Sequence, residues 1–318
     1  MSNFYRRDDN KLDRLSSFFY WEGGLDLKLI SPIKANVFLV KTIANEKFIV
    51  KSHHNKNNVY QQWSFFKRNN GNMIAPFVRF PNSSKFLIDE NSYWTITPYI
   101  PGRKLNYKNP EDRIEAVNTL HAFHETATAI YINRHVKKQL FYLRWYNRLQ
   151  MFKKTEYIFA KFGYVGLYKD IIQTTERQIQ LVSHFPWKRI QRKAEEKGVW
   201  VHGDVAAHNF IKNDKTYLID FDLLYCTTQL YDFIQLGQRF LPYINWDIDK
   251  LLAYRMVREK ELSPWILSLS IPSDVLREWI HFLRRHRSES SISAYLEELS
   301  ESWSKRTNFL KTAVKMVK

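Results

Sequence analysis

Cys226 is the only cysteine in 318 residues. That excludes an intrachain disulfide and any zinc site built on several thiolates. Glycine and proline are also scarce, at 9 and 10 residues, and no internal repeat, low-complexity tract or long linker stands out. No apolar run approaches the ~18 residues that would span a bilayer. The stretch Met1 to Arg14 is polar and lacks the hydrophobic segment of a secretory signal. These absences predict a soluble protein of the cytoplasm or an equivalent reducing space, with no membrane span. A more local absence matters later: between Lys51 and Asp89 there is no Asp or Glu at all.

What is present is a globular balance, 44% hydrophobic and 25% charged, enough for one large or two modest domains. Lys and Arg total 49 against 32 Asp and Glu, a formal net charge of +17. Polyanions and phosphorylated compounds are natural partners of such a surface. The cations are nevertheless scattered. The longest cluster, Arg284-Arg285-His286-Arg287, is short, and no motif of a nucleic-acid-binding fold occurs, so nucleic acid is not an expected partner.

The first hundred residues read as strand-rich. The apolar runs Val37 to Lys41 and Lys47 to Lys51 flank a hairpin-like turn at Ala44-Asn45-Glu46. A helix-compatible stretch follows from about Asn57 to Asn69, closed by Asn70-Gly71. Further strands are predicted at 77–80, 86–88 and 94–97, before Pro98 and Pro101-Gly102 interrupt the pattern. Asn109-Pro110-Glu111 is a helix start, and helical patterns recur at 141–162, 165–184, 228–240 and from about 247 onward. Between them lies an island of short strands at 199–201, 209–212 and 216–220. The expected architecture is α+β, with lobes 1–97 and 98–318.

The chemistry is concentrated in Val201-His202-Gly203-Asp204 through Asn209, followed by Ile219-Asp220-Phe221-Asp222. Asp204 and Asn209 bracket a loop leaving one strand, and Asp220 ends the next apolar strand. Three hard-oxygen side chains thus converge at one edge of a strand island. A low count of oxygen ligands suits Mg²⁺, which keeps waters and takes further ligands from phosphates. Phosphoryl transfer uses such a set, with a carboxylate to orient the attacking hydroxyl.

These motifs resemble the catalytic and metal-binding loops of the aminoglycoside phosphotransferase and choline kinase superfamily. The resemblance implies a bilobal protein-kinase-like fold, with a β-rich N-lobe and a mostly helical C-lobe. It implies ATP and Mg²⁺ as cofactors and a small-molecule hydroxyl as acceptor. By it Asp204 is the catalytic base, and Asn209 and Asp220 are metal ligands. Lys51, at the end of an apolar strand, holds the α/β-phosphates. Backbone groups of Thr97 to Ile100, Tyr99 among them, meet the adenine edge. Tyr231-Asp232-Phe233 resembles the family's structural Asp, and Leu120 to His124 its Leu-Ala-x-Phe-His helix. That helix, with the chain length, leans toward kinase-like proteins associated with bacterial spore coats, which implies spore-coat partners and location. On their own residue types, His202 reads as a holder of loop backbone, His208 as a loop residue near substrate, and Asp222 as a cap or a neighbour of the metals.

Two departures stand against this pattern. Kinases pair the strand lysine with a helix Glu, whereas Gln61 or Gln62 stands there. No glycine-rich loop is present; Ile30 to Asn36 occupies its place. Relatives in the aminoglycoside-kinase group often lack that loop, so the missing Glu weighs more. Two readings therefore stay open. One is an ATP- and Mg²⁺-dependent phosphotransferase. The other is a catalytically weak or inactive kinase-fold structural protein of a spore coat.

Overall fold

The computed structural model describes residues 3–285 and 288–317. Met1, Ser2, and His286 and Arg287 of the basic run lie outside the described residues.

Helix α1 (Asn3–Gly23) opens the chain, in a region read from sequence as strand-rich. Leu12, Leu15 and Phe19 recur at helical spacing, and Phe19 meets Trp94 edge to face at 5.2 Å. Five strands follow: β1 (Leu27–Lys34), β2 (Val37–Thr42), β3 (Lys47–His53), and, after α2 (Lys56–Phe66), β4 (Leu87–Asp89) and β5 (Ser92–Pro98). They form one antiparallel sheet in the order β1-β2-β3-β5-β4. The β2–β3 turn carries Asn45 at φ 64, a left-handed conformation that Asn tolerates better than most residues.

Side-chain alternation gives this sheet two different faces. Phe38, Val40, Val50, Trp94 and Ile96 pack with Leu15 and Phe19 of α1 into one apolar core. Ile49, Lys51 and His53, with Thr95 and Thr97 opposite on β5, point the other way, into a cleft. One residue of slip would exchange the two sets.

The expected strand at 77–80 reduces to a single bridge, Val78 to Ile96. Helix α2 ends at Phe66 with Lys67 as its C-cap, four residues short of Asn70-Gly71. Asn69 instead turns its side-chain amide onto the Thr126 carbonyl at 2.9 Å. Residues 73–75 then pair alongside Leu218, through Leu218 N–H to Met73 O and Ala75 N–H to Leu218 O. The two parts of the chain are thereby stitched together.

After β6 (Arg103–Lys104) the chain is helical: α3 (Pro110–Thr126), α4 (Phe141–Lys153), α5 (Glu156–Lys161), α6 (Val165–Ser183) and α7 (Trp187–Glu196). Pro110 occupies the first helical turn as expected, but Asn109 makes no side-chain cap bond. The 141–162 pattern is broken at Lys154–Thr155 into α4 and α5. Next comes the strand island, β7 (Trp200–Val201), β8 (Phe210–Lys212), β9 (Thr216–Leu218) and β10 (Tyr225–Cys226), then α8 (Leu230–Phe240). The stretch from 247 holds α9 (Ile248–Leu252), α10 (Leu262–Leu269), α11 (Ser273–Arg285) and α12 (Glu289–Val317). Strand β6 pairs with β8 and β8 with β9, while β10 pairs with β7. A second, larger core of helical side chains surrounds them. The whole is an antiparallel N-terminal sheet followed by a helical C-terminal region. Among the described residues no helix is long and apolar enough to cross a membrane.

Candidate active site

A cleft of about 500 Å³ separates the sheet from the strand island, and Lys51, Gln62, Asn209, Asp220 and Asp222 all line it. Lys51 reaches across from β3. Its ammonium lies 2.5 Å from Asp220 Oδ1 and 2.6 Å from Asp222 Oδ2. Burial alone would lower the lysine, but the two carboxylates raise it above the ordinary value. Burial alone would raise Asp220, but Lys51, with Lys34 and His202, holds it down to about 2. Lys34 contributes from 3.4 Å on the other oxygen. Next along β3, His53 donates or accepts at Thr95 Oγ1 through Nε2, 2.9 Å away, and its Nδ1 lies 3.5 Å from Asp222. Burial, together with the charge on Lys51, pushes His53 down to about 4 despite the pull of Asp222.

The loops that carry these groups are held by one buried acid. Asp232, on the first turn of α8, accepts from His202 N–H at 2.8 Å and Gly203 N–H at 2.9 Å, and lies 3.0 Å from His124 Nε2. Gly203 has φ +83, and a Cβ there would collide with the Leu223 carbonyl oxygen. No side chain fits, because the loop from His202 to Asn209 crosses the 221–224 segment at this point. His202 bridges the same two segments: Nε2 is 2.9 Å from Ile219 O, and Nδ1 accepts from Asp204 N–H at 3.3 Å. A carbonyl at one nitrogen and an N–H at the other assign the ring proton to Nε2. His202 therefore holds loop backbone. Asp220 itself sits in the left-handed region, at φ 64, two residues beyond β9.

Asn209 donates its side-chain amide to the Asp204 carbonyl at 3.0 Å, and its Oδ1 accepts no hydrogen bond among the described residues. Asp204 does not line the cleft. Its Oδ1 is bound by Arg239 Nη2 at 2.8 Å. Arg239 lies seven residues beyond Asp232 on α8, with Gln235 between them, and Gln235 donates to Gly203 O at 3.1 Å. Positions 232, 235 and 239 share one helix face. That spacing is visible in the sequence, whereas the pairing of Arg239 with Asp204 is not.

The two glutamines separate clearly. Gln61 is bound on both ends, donating to Leu224 O at 2.8 Å and accepting from Val136 N–H at 2.7 Å. Gln62 is 2% exposed and lines the cleft, and its side chain makes no hydrogen bond among the described residues. Neither pairs with Lys51; Asp222 fills the place of the missing helix acid. At the far end of the cleft, Tyr99 N–H donates to Lys47 O at 3.1 Å. Alternation along the β3–β5 ladder puts Thr97, opposite Ile49, on a bonded rung as well. The backbone groups turned away from β3 at this edge are the Pro98 carbonyl and the Ile100 N–H.

Among the described residues no group of three or more His, Cys, Asp or Glu could hold a metal on its own. The donor set here is the amide oxygen of Asn209 and the carboxylate of Asp220, two hard oxygens at the mouth of a cleft. That fits Mg²⁺, which takes few protein ligands and completes its shell from phosphate and water.

Solved structures share this architecture. An aminoglycoside phosphotransferase from Alicyclobacillus acidocaldarius matches with a TM-score of 0.69 at 16% identity, covering 93% of this chain and 94% of its own. An amicoumacin kinase bound to AMP-PNP and Ca²⁺ matches at 0.63 and 14% identity, covering 98% of this chain and 96% of its own. A spectinomycin phosphotransferase bound to ADP and spectinomycin matches at 0.61 and 14%, covering 94% and 93%. At these identities the shared property is the fold. No curated protein matches the sequence. The family model described as the phosphotransferase enzyme family matches residues 78–286, a stretch that contains Asp204, Asn209 and Asp220 and most of the chain, and the chain belongs to that family.

Proposed function

We propose that the protein is a cytoplasmic phosphotransferase that moves the γ-phosphoryl group of ATP, with Mg²⁺, to a hydroxyl of a small-molecule acceptor. Residues 1–97 form the nucleotide lobe and 98–318 the catalytic and acceptor lobe. The observation that carries this reading is the convergence of Lys51, Asn209 and Asp220 on one cleft whose other end offers the Pro98 carbonyl and the Ile100 N–H. Adenine would meet that edge, beside Thr97 and Tyr99. Lys51 would exchange its carboxylate partners for the α/β-phosphates. Asn209 and Asp220 would hold Mg²⁺, which when bound neutralises phosphate charge.

Asp204 would orient the acceptor hydroxyl. The acceptor oxygen forms a bond to the γ-phosphorus as the bond to the ADP oxygen breaks, and the hydroxyl proton passes late to Asp204. Arg239 must yield the carboxylate first, or hold it in place by one arm while the hydroxyl takes the other oxygen. The spectinomycin and amicoumacin bound by the structural relatives support an antibiotic-like, hydroxyl-rich acceptor.

One observation favours the second reading, a weak or inactive kinase-fold module of a spore coat. Both functional carboxylates are already paired, Asp204 with Arg239 and Asp220 with Lys51, and α2 supplies no acid to draw Lys51 away. Thermal melting with ATP, with and without Mg²⁺, separates the two. At ~100 times the dissociation constant, bound nucleotide adds ~2.7 kcal/mol. The phosphotransferase reading expects a Mg²⁺-dependent part of that shift, absent in Asp220→Ala, and transfer of labelled phosphate to some member of a hydroxyl panel. A protein that melts identically with every nucleotide is not this enzyme.

A further inference from the structure

Behind the cleft lies a second cavity, a groove of about 610 Å³ between α2 and the extended stretch from Pro76 to Lys85. Phe66 and Phe77 line both spaces and form the wall between them. The rim of the groove carries four exposed cations, Lys67, Arg68, Arg79 and Lys85, and no acidic residue lines it. None of the four makes an ion pair among the described residues. This is the structural counterpart of the segment between Lys51 and Asp89 that contains no Asp or Glu. The floor is aromatic: Trp63 lies 5.7 Å from Phe77, and Tyr60 packs edge to face on Phe86 at 5.2 Å. The Trp63 indole N–H is buried with no hydrogen-bond partner among the described residues.

We propose that this groove docks an acidic peptide segment of a partner protein, with an apolar or aromatic side chain seated on the Trp63–Phe77 floor and flanking carboxylates on the cationic rim. Four cations that make no ion pair among the described residues, with no lining acid, select an anionic partner. The aromatic floor selects one with an apolar anchor, the usual centre of a protein contact. The wall from Tyr60 to Lys67 covers two helical turns, about 10 Å, which matches about three residues of extended peptide. Single-stranded nucleic acid fits less well. Successive bases need open ring faces to stack on, whereas these rings are tilted or set edge to face against one another, Phe66 on Phe77 at 77° included.

The test is fluorescence anisotropy of the full chain with a labelled eight-residue peptide of six glutamates and two phenylalanines, at low and at physiological salt. Binding is expected to weaken on the order of tenfold in Lys67→Glu with Arg79→Glu, two exposed positions; melting temperature is measured alongside, because Arg79 also donates to Ser83 O at 2.6 Å. It should weaken similarly when the peptide phenylalanines become alanine. The control Lys188→Glu with Arg189→Glu, exposed on α7 and far from the groove in sequence, removes the same formal charge and should change affinity less than about twofold. Equal losses in both double variants would mean that net charge alone binds the peptide, and the proposal fails. It fails also if the alanine peptide binds as well, if no peptide binds, or if oligothymidylate of equal charge binds more tightly with the same sensitivity to Lys67 and Arg79.

Discussion

Replacing each glutamine of α2 with glutamate separates the two roles that the cleft geometry assigns them. Gln61→Glu removes the donor that reaches Leu224 O at 2.8 Å and sets a carboxylate oxygen against that carbonyl. The bond from Val136 N–H survives. Losing one hydrogen bond costs about 1 kcal/mol, and leaving a buried charge facing an acceptor adds about 1–3 kcal/mol. The expected loss at pH 7 is therefore about 2–4 kcal/mol, a fall in melting temperature of about 3–6 °C for a chain of this length. The carboxyl disfavours ionisation in the fold, so its folded pKa lies above its unfolded one. Its penalty is complete above the folded value and fades as pH falls toward the unfolded one, where the protonated oxygen donates to Leu224 O again. Gln62→Glu gives up no hydrogen bond, and the cost of burying its carboxylate at a position 2% exposed is offset to the extent that Lys51 pairs with it. It offers Lys51 a third carboxylate and frees Asp220, so Mg²⁺–ATP affinity should rise about three- to tenfold. Urea unfolding at pH 5 and pH 7, with calorimetric titration of Mg²⁺–ATP, reads both effects. If Gln61→Glu unfolds within about 0.5 kcal/mol of wild type at both pH values, the Leu224 bond is not holding the loop. If Gln62→Glu weakens nucleotide, Lys51 is not the group that gains.

Asp204→Asn should cut turnover, or slow ATP hydrolysis as its surrogate, by ~10²–10⁴ while ATP affinity changes little; Asp220→Asn should weaken Mg²⁺–ATP binding itself, and equal loss of binding in both would undo that division of roles. Gly203→Ala should destabilise the fold by at least about 2 kcal/mol and disturb the catalytic loop, since φ +83 and the Leu223 carbonyl both exclude a Cβ; a fully stable, active variant would show the crossing to be looser. His53, pushed down to about 4 in the fold, binds fewer protons there than in the unfolded chain between that value and its ordinary 6.5. Stability should therefore fall as pH drops through that window, and a His53→Gln variant should show a shallower slope in its urea midpoint. Asp220, held at about 2, contributes stability above its unfolded value near 3.8 that is lost as pH falls toward 2; in Lys51→Met that acid-range loss should shrink.

Where residue chemistry and periodicity agreed, the fold was legible. Val37 to Lys41 and Lys47 to Lys51 are apolar runs rich in β-branched and aromatic residues, and β2 and β3 exceed them by only one or two residues. Asn109-Pro110-Glu111 located α3, although the cap works through Pro110 and the first-turn acids; Asp112 is buried and takes Arg103 in a two-armed pair at 2.6 and 2.7 Å. Helix α1 was missed because its buried stripe of Leu12, Leu15 and Phe19 sits in a polar sequence whose neighbours are strands. The 77–80 stretch has strand composition but meets β5 at one bridge, and its outward side forms the aromatic groove instead. The motif residues around Asp204 and Asp220 were legible because local spacing carries them. Arg239 was not, since a side chain that reaches a loop 35 residues upstream leaves no local mark. Likewise the choice between Gln61 and Gln62 turns on helix rotation, which only the contacts with Leu224 and Val136 resolve.

The placement of strain and buried polarity bears on which reading the site favours. Asp220 is held at φ 64 two residues beyond a strand, a left-handed conformation that costs a non-glycine residue energy unless its surroundings impose it, and the facing loop passes through Gly203 at φ +83, which glycine adopts freely and other residues do not. Asp232, fully buried, imposes one of them through two backbone N–H groups. Lys51 imposes the other through a carboxylate that it would share with nucleotide. A fold serving only as an assembly module gains nothing from a left-handed Asp opposite a buried ammonium; an apolar turn of the same length would be more stable. The cost is intelligible if the Asp220 carboxylate must project into the cleft at that point, beside Asn209 Oδ1, where a cation and its phosphates would satisfy the same groups that now satisfy one another. On the proposed reading, the Lys51–Asp220–Asp222 cluster would open as nucleotide enters, with Lys51 exchanging a carboxylate for a phosphate.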